Sequence, residues 1–101
     1  MSSETLNHKF DELKKKNLPA LLTYTVAGDP SKDISLEIFK SIADSGADII
    51  EVGLAHAACI GDGGEIQNSA YRSITCGIKT DDVFDIIYSF KKDHNNAIVI
   101  M

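Results

Sequence analysis

The run Ala47-Asp48-Ile49-Ile50-Glu51-Val52-Gly53-Leu54, residues 47–54, is apolar but for Asp48 near its start and one acid near its end. A run of this length, preceded by Gly46 and followed by small loop residues, reads as a buried β-strand. Side chains alternate along a strand, so Ile50, Val52 and Leu54 share one face and Ile49, Glu51 and Gly53 the other. The first face suits packing against helices. The second carries a carboxylate, which is costly to bury unless it is paired, protonated or opened to a cleft.

Reading upstream from this strand, Ser31 to Ser45 shows Ile34, Ile38 and Ile42 at four-residue spacing, widened by Leu36 and Phe39. This predicts a helix over 31–45, with Gly46 as its stop. Before it, Pro19 opens a short apolar segment read as a strand over 20–26. Ala27-Gly28-Asp29-Pro30 closes that strand as a turn. Residues 4–16 form an amphipathic helix, with Leu6, Phe10 and Leu13 on one side and Lys14, Lys15 and Lys16 at its negative end. Downstream, a small-residue loop covers 55–64 and a short helical turn 65–75, ended near Gly77. Thr80 is placed as the N-cap of a helix over 80–94, whose Val83, Ile86, Ile87 and Phe90 fall at i, i+3, i+4 and i+7. A strand over 96–101 ends the chain. Strands alternating with helices imply βαβ units and a parallel sheet, an α/β fold.

Composition narrows the setting. The 101 residues are enough for one small domain at most, and 10 Lys plus Arg against 15 Asp plus Glu give a net charge of -5. That balance argues against nucleic acid and anionic membrane as partners and leaves a phosphorylated small molecule open. Cys59 and Cys76 match no zinc or redox spacing and read as plain thiols. The polar N-terminus has no signal-peptide pattern, and no apolar run approaches the roughly 20 residues of a membrane span, so the cytoplasm is the expected place. The apolar ending AIVIM, 97–101, has no turn after it, and a three-stranded parallel sheet leaves open edges. The chain is therefore expected to be the first part of a longer domain. The alternative is a small complete domain that oligomerises through an edge.

Glu51 is the leading candidate for chemistry, because the C-terminal end of a parallel strand is where βα-barrel active sites lie. A strand-end Glu reaching water or pairing with a Lys is the plainer alternative. Asp62 lies in Gly61-Asp62-Gly63-Gly64, a tight turn or a place where backbone approaches a ligand. Asp29 is a turn former or a polar support for a site. Tyr24 either lines a pocket for a flat ligand or packs as a core aromatic. His56 stands alone, without the cluster that a metal or base would need. Neither a GxxxxGK[ST] loop nor a GxGxxG fingerprint is present.

Three stretches in order, LLTYTVAGDP (21–30), SGADIIEVGL (45–54) and GDGGEIQNSAYRSITCGIKTDD (61–82), resemble the tryptophan synthase α subunit family. The resemblance implies the N-terminal portion of a (β/α)8 TIM barrel with an extra N-terminal helix; a complete barrel takes about 250 residues. It implies a lyase of tryptophan biosynthesis that cleaves indole-3-glycerol phosphate to indole and glyceraldehyde 3-phosphate by a retro-aldol reaction. Glu51 then matches the acid/base at the indole ring carbon and the glycerol hydroxyl. Asp62 matches the acceptor of the indole N–H, and Tyr24 an aromatic beside the indole. No metal or organic cofactor is implied for this chain. The implied partner is a β subunit, which carries pyridoxal phosphate, in an α2β2 heterotetramer.

The loop after the second strand departs from the family pattern. Ala55, His56 and Ala57 stand where Pro, Phe and Ser are usual, and Ala58 and Cys59 where Asp and Pro are usual. Gly61, Gly64 and Glu65 replace Ala, Pro and Thr. Fewer prolines raise the conformational freedom of the loop, so β-subunit docking through 55–61 is expected to be weakened or lost. A diverged, non-catalytic interaction module is accordingly the alternative function. The segments that hold the substrate phosphate in the family have no counterpart in these 101 residues, so the chain alone is expected to be inactive.

Overall fold

The computed structural model describes residues 3–56 and 61–101. Seven elements follow in order: α1 (Ser3–Lys15), β1 (Leu22–Val26), α2 (Lys32–Asp44), β2 (Ile49–Gly53), α3 (Gly64–Thr75), α4 (Thr80–Lys91) and β3 (Ala97–Ile100). The sheet is parallel in the order β1-β2-β3. Among the described residues, no helix is long and apolar enough to cross a membrane.

Ile50 and Val52 of β2 and Ile98 of β3 are buried with Phe39 of α2 and Val83, Ile86 and Phe90 of α4 in one core. This is the face that strand alternation assigns to helices. The stripe of α4 is the one its spacing predicts. The stripe of α2 is rotated: Ser35 and Phe39 are buried, while Ile34 is 51% exposed. Ser35 goes inward because its hydroxyl accepts the Gly28 N–H at 2.9 Å, a polar anchor that apolar spacing does not register. On α1, Leu13 is buried and Phe10 exposed.

Several ends differ from the sequence-based expectation, and polar side chains account for them. β1 begins at Leu22 rather than 20, where Asp48 Oδ2 takes the Leu21 N–H at 2.8 Å. That bond ties the start of β1 to the residue before β2, and Lys9 of α1 reaches the same carboxylate at 3.6 Å. β2 stops at Gly53, so Leu54 lies outside it and is exposed. The residue before α4 is Lys79, not Thr80; its N–H is taken by Asp82 at 2.9 Å, a carboxylate in the first turn. α4 ends at Lys91, where Lys91 Nζ turns to the Asn96 carbonyl at 2.8 Å. Asn96 in turn donates to the Ala47 carbonyl at 2.6 Å, and β3 starts one residue later. The segment after residue 64 is a three-turn helix, not a single turn.

α2 and α4 are joined by charges at both ends. Lys32 reaches Asp82 at 3.1 Å and Asp85 at 2.9 Å. At the other end His94 Nε2 lies 2.8 Å from Asp44, its Nδ1 lies 3.1 Å from Asp93, and its ring stacks on Phe90. Lys40 faces the same Asp93 at 3.7 Å. Asp44 first, then Asp93, raise the His94 pKa above its ordinary 6.5.

The folded chain thus binds the His94 proton more tightly than the unfolded one. Its contribution is complete below the unfolded pKa and is lost as pH rises through the raised folded value. We expect the urea midpoint to fall between about pH 6 and pH 8, where histidine titrates, and His94→Gln to flatten this fall. A profile identical in both proteins would refute the assignment.

Candidate functional site

β2 is paired on both sides, and its register sets Glu51 beside Tyr24 of β1 and Val99 of β3. Every other β2 residue is buried, and Glu51 is half-buried. Alternation puts Glu51 on the face opposite the Ile50 and Val52 core, two residues from the C-terminal end of the strand. The acid therefore stands on a sheet face next to an aromatic ring, at the end where the β2 loop leaves.

Tyr24 is held there by the absence of a side chain at residue 53. A Cβ on Gly53 would come within 2.3 Å of the Tyr24 Oη and 2.6 Å of its Cζ. The phenol ring lies across the end of β2, close to the backbone that carries Glu51. It is 39% exposed, a partly open aromatic wall rather than a core residue.

Asp62 is exposed in the turn that leads into α3. Its carbonyl accepts Gln67 Nε2 at 2.7 Å, which binds the turn to the first turns of the helix. Register thus brings Tyr24 and Glu51 together, while Asp62 lies in the turn before α3. Of the atypical loop, Ala57, Ala58 and Cys59 lie outside the described residues. Ala55 and His56 are described in no regular element.

A second constellation was not apparent as such in the sequence. Asp29, read from the sequence as a turn former or a polar support for a site, accepts Arg72 Nε at 2.7 Å, Arg72 Nη2 at 2.9 Å and Ser69 Oγ at 2.5 Å. Its side chain is only 13% exposed. The Arg72 guanidinium holds the Asp29 carboxyl below the usual carboxylate range, against desolvation and with help from Ser69. Next to it, Ser73 Oγ donates to the Ala27 carbonyl at 2.7 Å and Cys76 Sγ to the Gly28 carbonyl at 3.2 Å. Ser69, Arg72, Ser73 and Cys76 recur at i, i+3, i+4 and i+7, one face of a helix. The signal was periodic but polar, so an apolar search passed over it. Gly28, at φ +86, fits this contact because a Cβ would meet Ile78 Cγ1 at 2.2 Å. Among the described residues, no three of His, Cys, Asp and Glu gather as metal ligands would.

A family model described as tryptophan synthase alpha chain matches residues 10–101. The tryptophan synthase alpha chain of Pelagibacter ubique is 53% identical over 96 residues, covering 95% of this chain and 36% of that relative. The one from Caldanaerobacter subterraneus is 35% identical over 96 residues, covering 95% and 37%. In three dimensions, the tryptophan synthase subunit alpha of Legionella pneumophila superposes with a TM-score of 0.92 at 26% identity, over 96% of this chain and 37% of that one. A Pyrococcus furiosus structure, described as a tryptophan synthase α2β2 complex, gives 0.77 at 35% identity over 81% and 33%. The chain spans about a third of the length of the curated relatives it matches. Its fold is the N-terminal part of a (β/α)8 barrel.

The contact of Tyr24 with Gly53 is testable by Gly53→Ala. The ring is partly exposed and can swing aside, so the cost sits near the low end for overpacking, about 1 kcal/mol in urea denaturation. The Tyr24 ring resonances should shift. Unmoved resonances would show that the ring does not rest on Gly53.

Proposed function

The chain belongs to the tryptophan synthase alpha chain family, and on that footing we propose that it supplies Glu51 and Asp62 to the cleavage of indole-3-glycerol phosphate. The observation that carries the proposal is Glu51 itself. It is a half-buried acid at the end of an otherwise buried central strand, set in register with a partly open aromatic ring. In the proposed retro-aldol step, Glu51 delivers a proton to the indole ring carbon that bears the glycerol chain. The Glu51 carboxylate so formed takes the proton of the adjacent glycerol hydroxyl, the carbon–carbon bond breaks with its electron pair returning to the indole ring, and the products are indole and glyceraldehyde 3-phosphate. Positive charge develops on the indole nitrogen, and the Asp62 carboxylate stabilises it by accepting the N–H. Two carboxyl groups divide the work in this way when their surroundings differ. Here one sits half-buried on a strand and the other exposed in a turn. Tyr24 supplies a flat wall for the indole ring.

The proposal places acid–base work on side chains alone and calls for no metal or cofactor on this chain. Its proposed partner is a tryptophan synthase β subunit, with pyridoxal phosphate on the β side, in an α2β2 assembly in the cytoplasm. The substituted loop favours a second reading, in which the chain only docks. Ala55 and His56 stand where the family pattern has Pro and Phe.

A chimera distinguishes the two. Residues 1–101 are joined to the remaining part of the Pelagibacter ubique relative, and indole release from indole-3-glycerol phosphate is followed. The chimera is expected to turn over, and Glu51→Gln to lower kcat by about two to four orders of magnitude, the usual weight of a general acid/base. Undiminished turnover in Glu51→Gln removes the role. β-subunit binding by an inactive parent chimera supports docking alone.

A further inference from the structure

We propose that Arg72, acting through Asp29, is a positioning residue that fixes Asp62 relative to Glu51. This rests on the functional reading above.

Asp62 and α3 form one unit. Gln67 Nε2 donates to the Asp62 carbonyl at 2.7 Å, and the Gln67 N–H donates to the Gly63 carbonyl at 3.0 Å. Where α3 goes, the turn carrying Asp62 goes. The N-cap of α3 is Gly63, with no side-chain bond of its own to hold the turn.

The place of α3 is decided by one polar face. Ser69, Arg72, Ser73 and Cys76 all bond to Ala27, Gly28 or Asp29, the three residues that follow β1. Arg72 contributes two donors in a planar fork, which fixes orientation as well as distance. The Asp29 carboxylate accepts three bonds and has little exposure, so both partners are held in one geometry. Those three residues are in turn continuous with the ladder. The Ala27 N–H donates to the Gly53 carbonyl at 2.9 Å, two residues beyond Glu51. A short path of bonded groups therefore runs from Asp62 through α3 and Asp29 to β1 and β2, and so to Glu51 and Tyr24.

A double-variant cycle in the same chimera tests this. Arg72→Leu is expected to lower kcat by about 10- to 100-fold, the scale of a misplacement near 1 Å, with a smaller change in KM. Arg72→Lys, which keeps the charge and loses the fork, restores part of the loss. If Arg72 works through Asp62, Arg72→Leu combined with Asp62→Asn is no slower than Asp62→Asn alone, to within about twofold. Ser69→Ala removes a single hydroxyl and reports the same direction if Arg72→Leu fails to fold. Multiplicative losses in the double variant overturn the proposal, as does unchanged kcat in Arg72→Leu or in Asp62→Asn. With Glu51→Gln still silencing the chimera, multiplicative losses or an unchanged Arg72→Leu remove the positioning role alone, whereas unchanged kcat in Asp62→Asn removes the Asp62 role as well. If Glu51→Gln is also without effect, the functional reading falls with it.

Discussion

Parallel pairing of β2 with β1 on one side and β3 on the other leaves its side chains only the two faces of the sheet. Parallel neighbours need long crossovers, which bring helices onto a face. Here α2 and α4 take the Ile50 and Val52 face, and two of their phenylalanines, Phe39 and Phe90, fill it. Losing either ring would cost about 3–5 kcal/mol, the range for a core phenylalanine cut to alanine. With one face committed to the core, the register leaves Glu51 on the other. The same pairing that stabilises the sheet therefore sets the position of the acid.

Much of this was legible in the sequence because apolar periodicity carried it. The alternation in residues 47–54 located the core face of β2, and Val83, Ile86, Ile87 and Phe90 located that of α4. The sequence was less informative where polar groups decided the structure. Ile34, Ile38 and Ile42 are the more conspicuous stripe of α2, yet Ser35 points inward because the Gly28 N–H requires an acceptor there. Strand starts were shifted by Asp48 and Asn96, whose side chains take backbone groups just outside the ladder. Such bonds join residues 27 and 49 positions apart and leave no local pattern.

The candidate site divides in the same manner. Glu51 could be placed on a face by alternation alone, and Tyr24 by counting along β1. Their being neighbours needed the register, which fixes Tyr24 opposite Glu51. Gly53 gave no sign in the sequence that it serves the tyrosine, since a strand-end glycine equally marks a turn. The clamp of Asp29 by Ser69 and Arg72 was further out of reach, because its partners lie 40 and 43 positions apart.

Two carboxylate clamps sit at opposite ends of the strands. At the start of the strands, Asp48 holds Leu21 and Lys9, tying α1 and β1 to β2. At the far end, Asp29 holds α3 on the residues that follow β1. A carboxylate bonded to backbone or guanidinium donors keeps its charge satisfied and stiffens what it joins. Glu51 belongs to neither set. It lies between them on the ladder, half-buried beside Tyr24, with the polar groups on either side engaged in holding backbone in place. An acid that is itself part of a structural clamp would have to break that clamp each time it gave up or took a proton. The carboxylates that hold the chain together at the two ends of the strands are thus different residues from the acid proposed for chemistry.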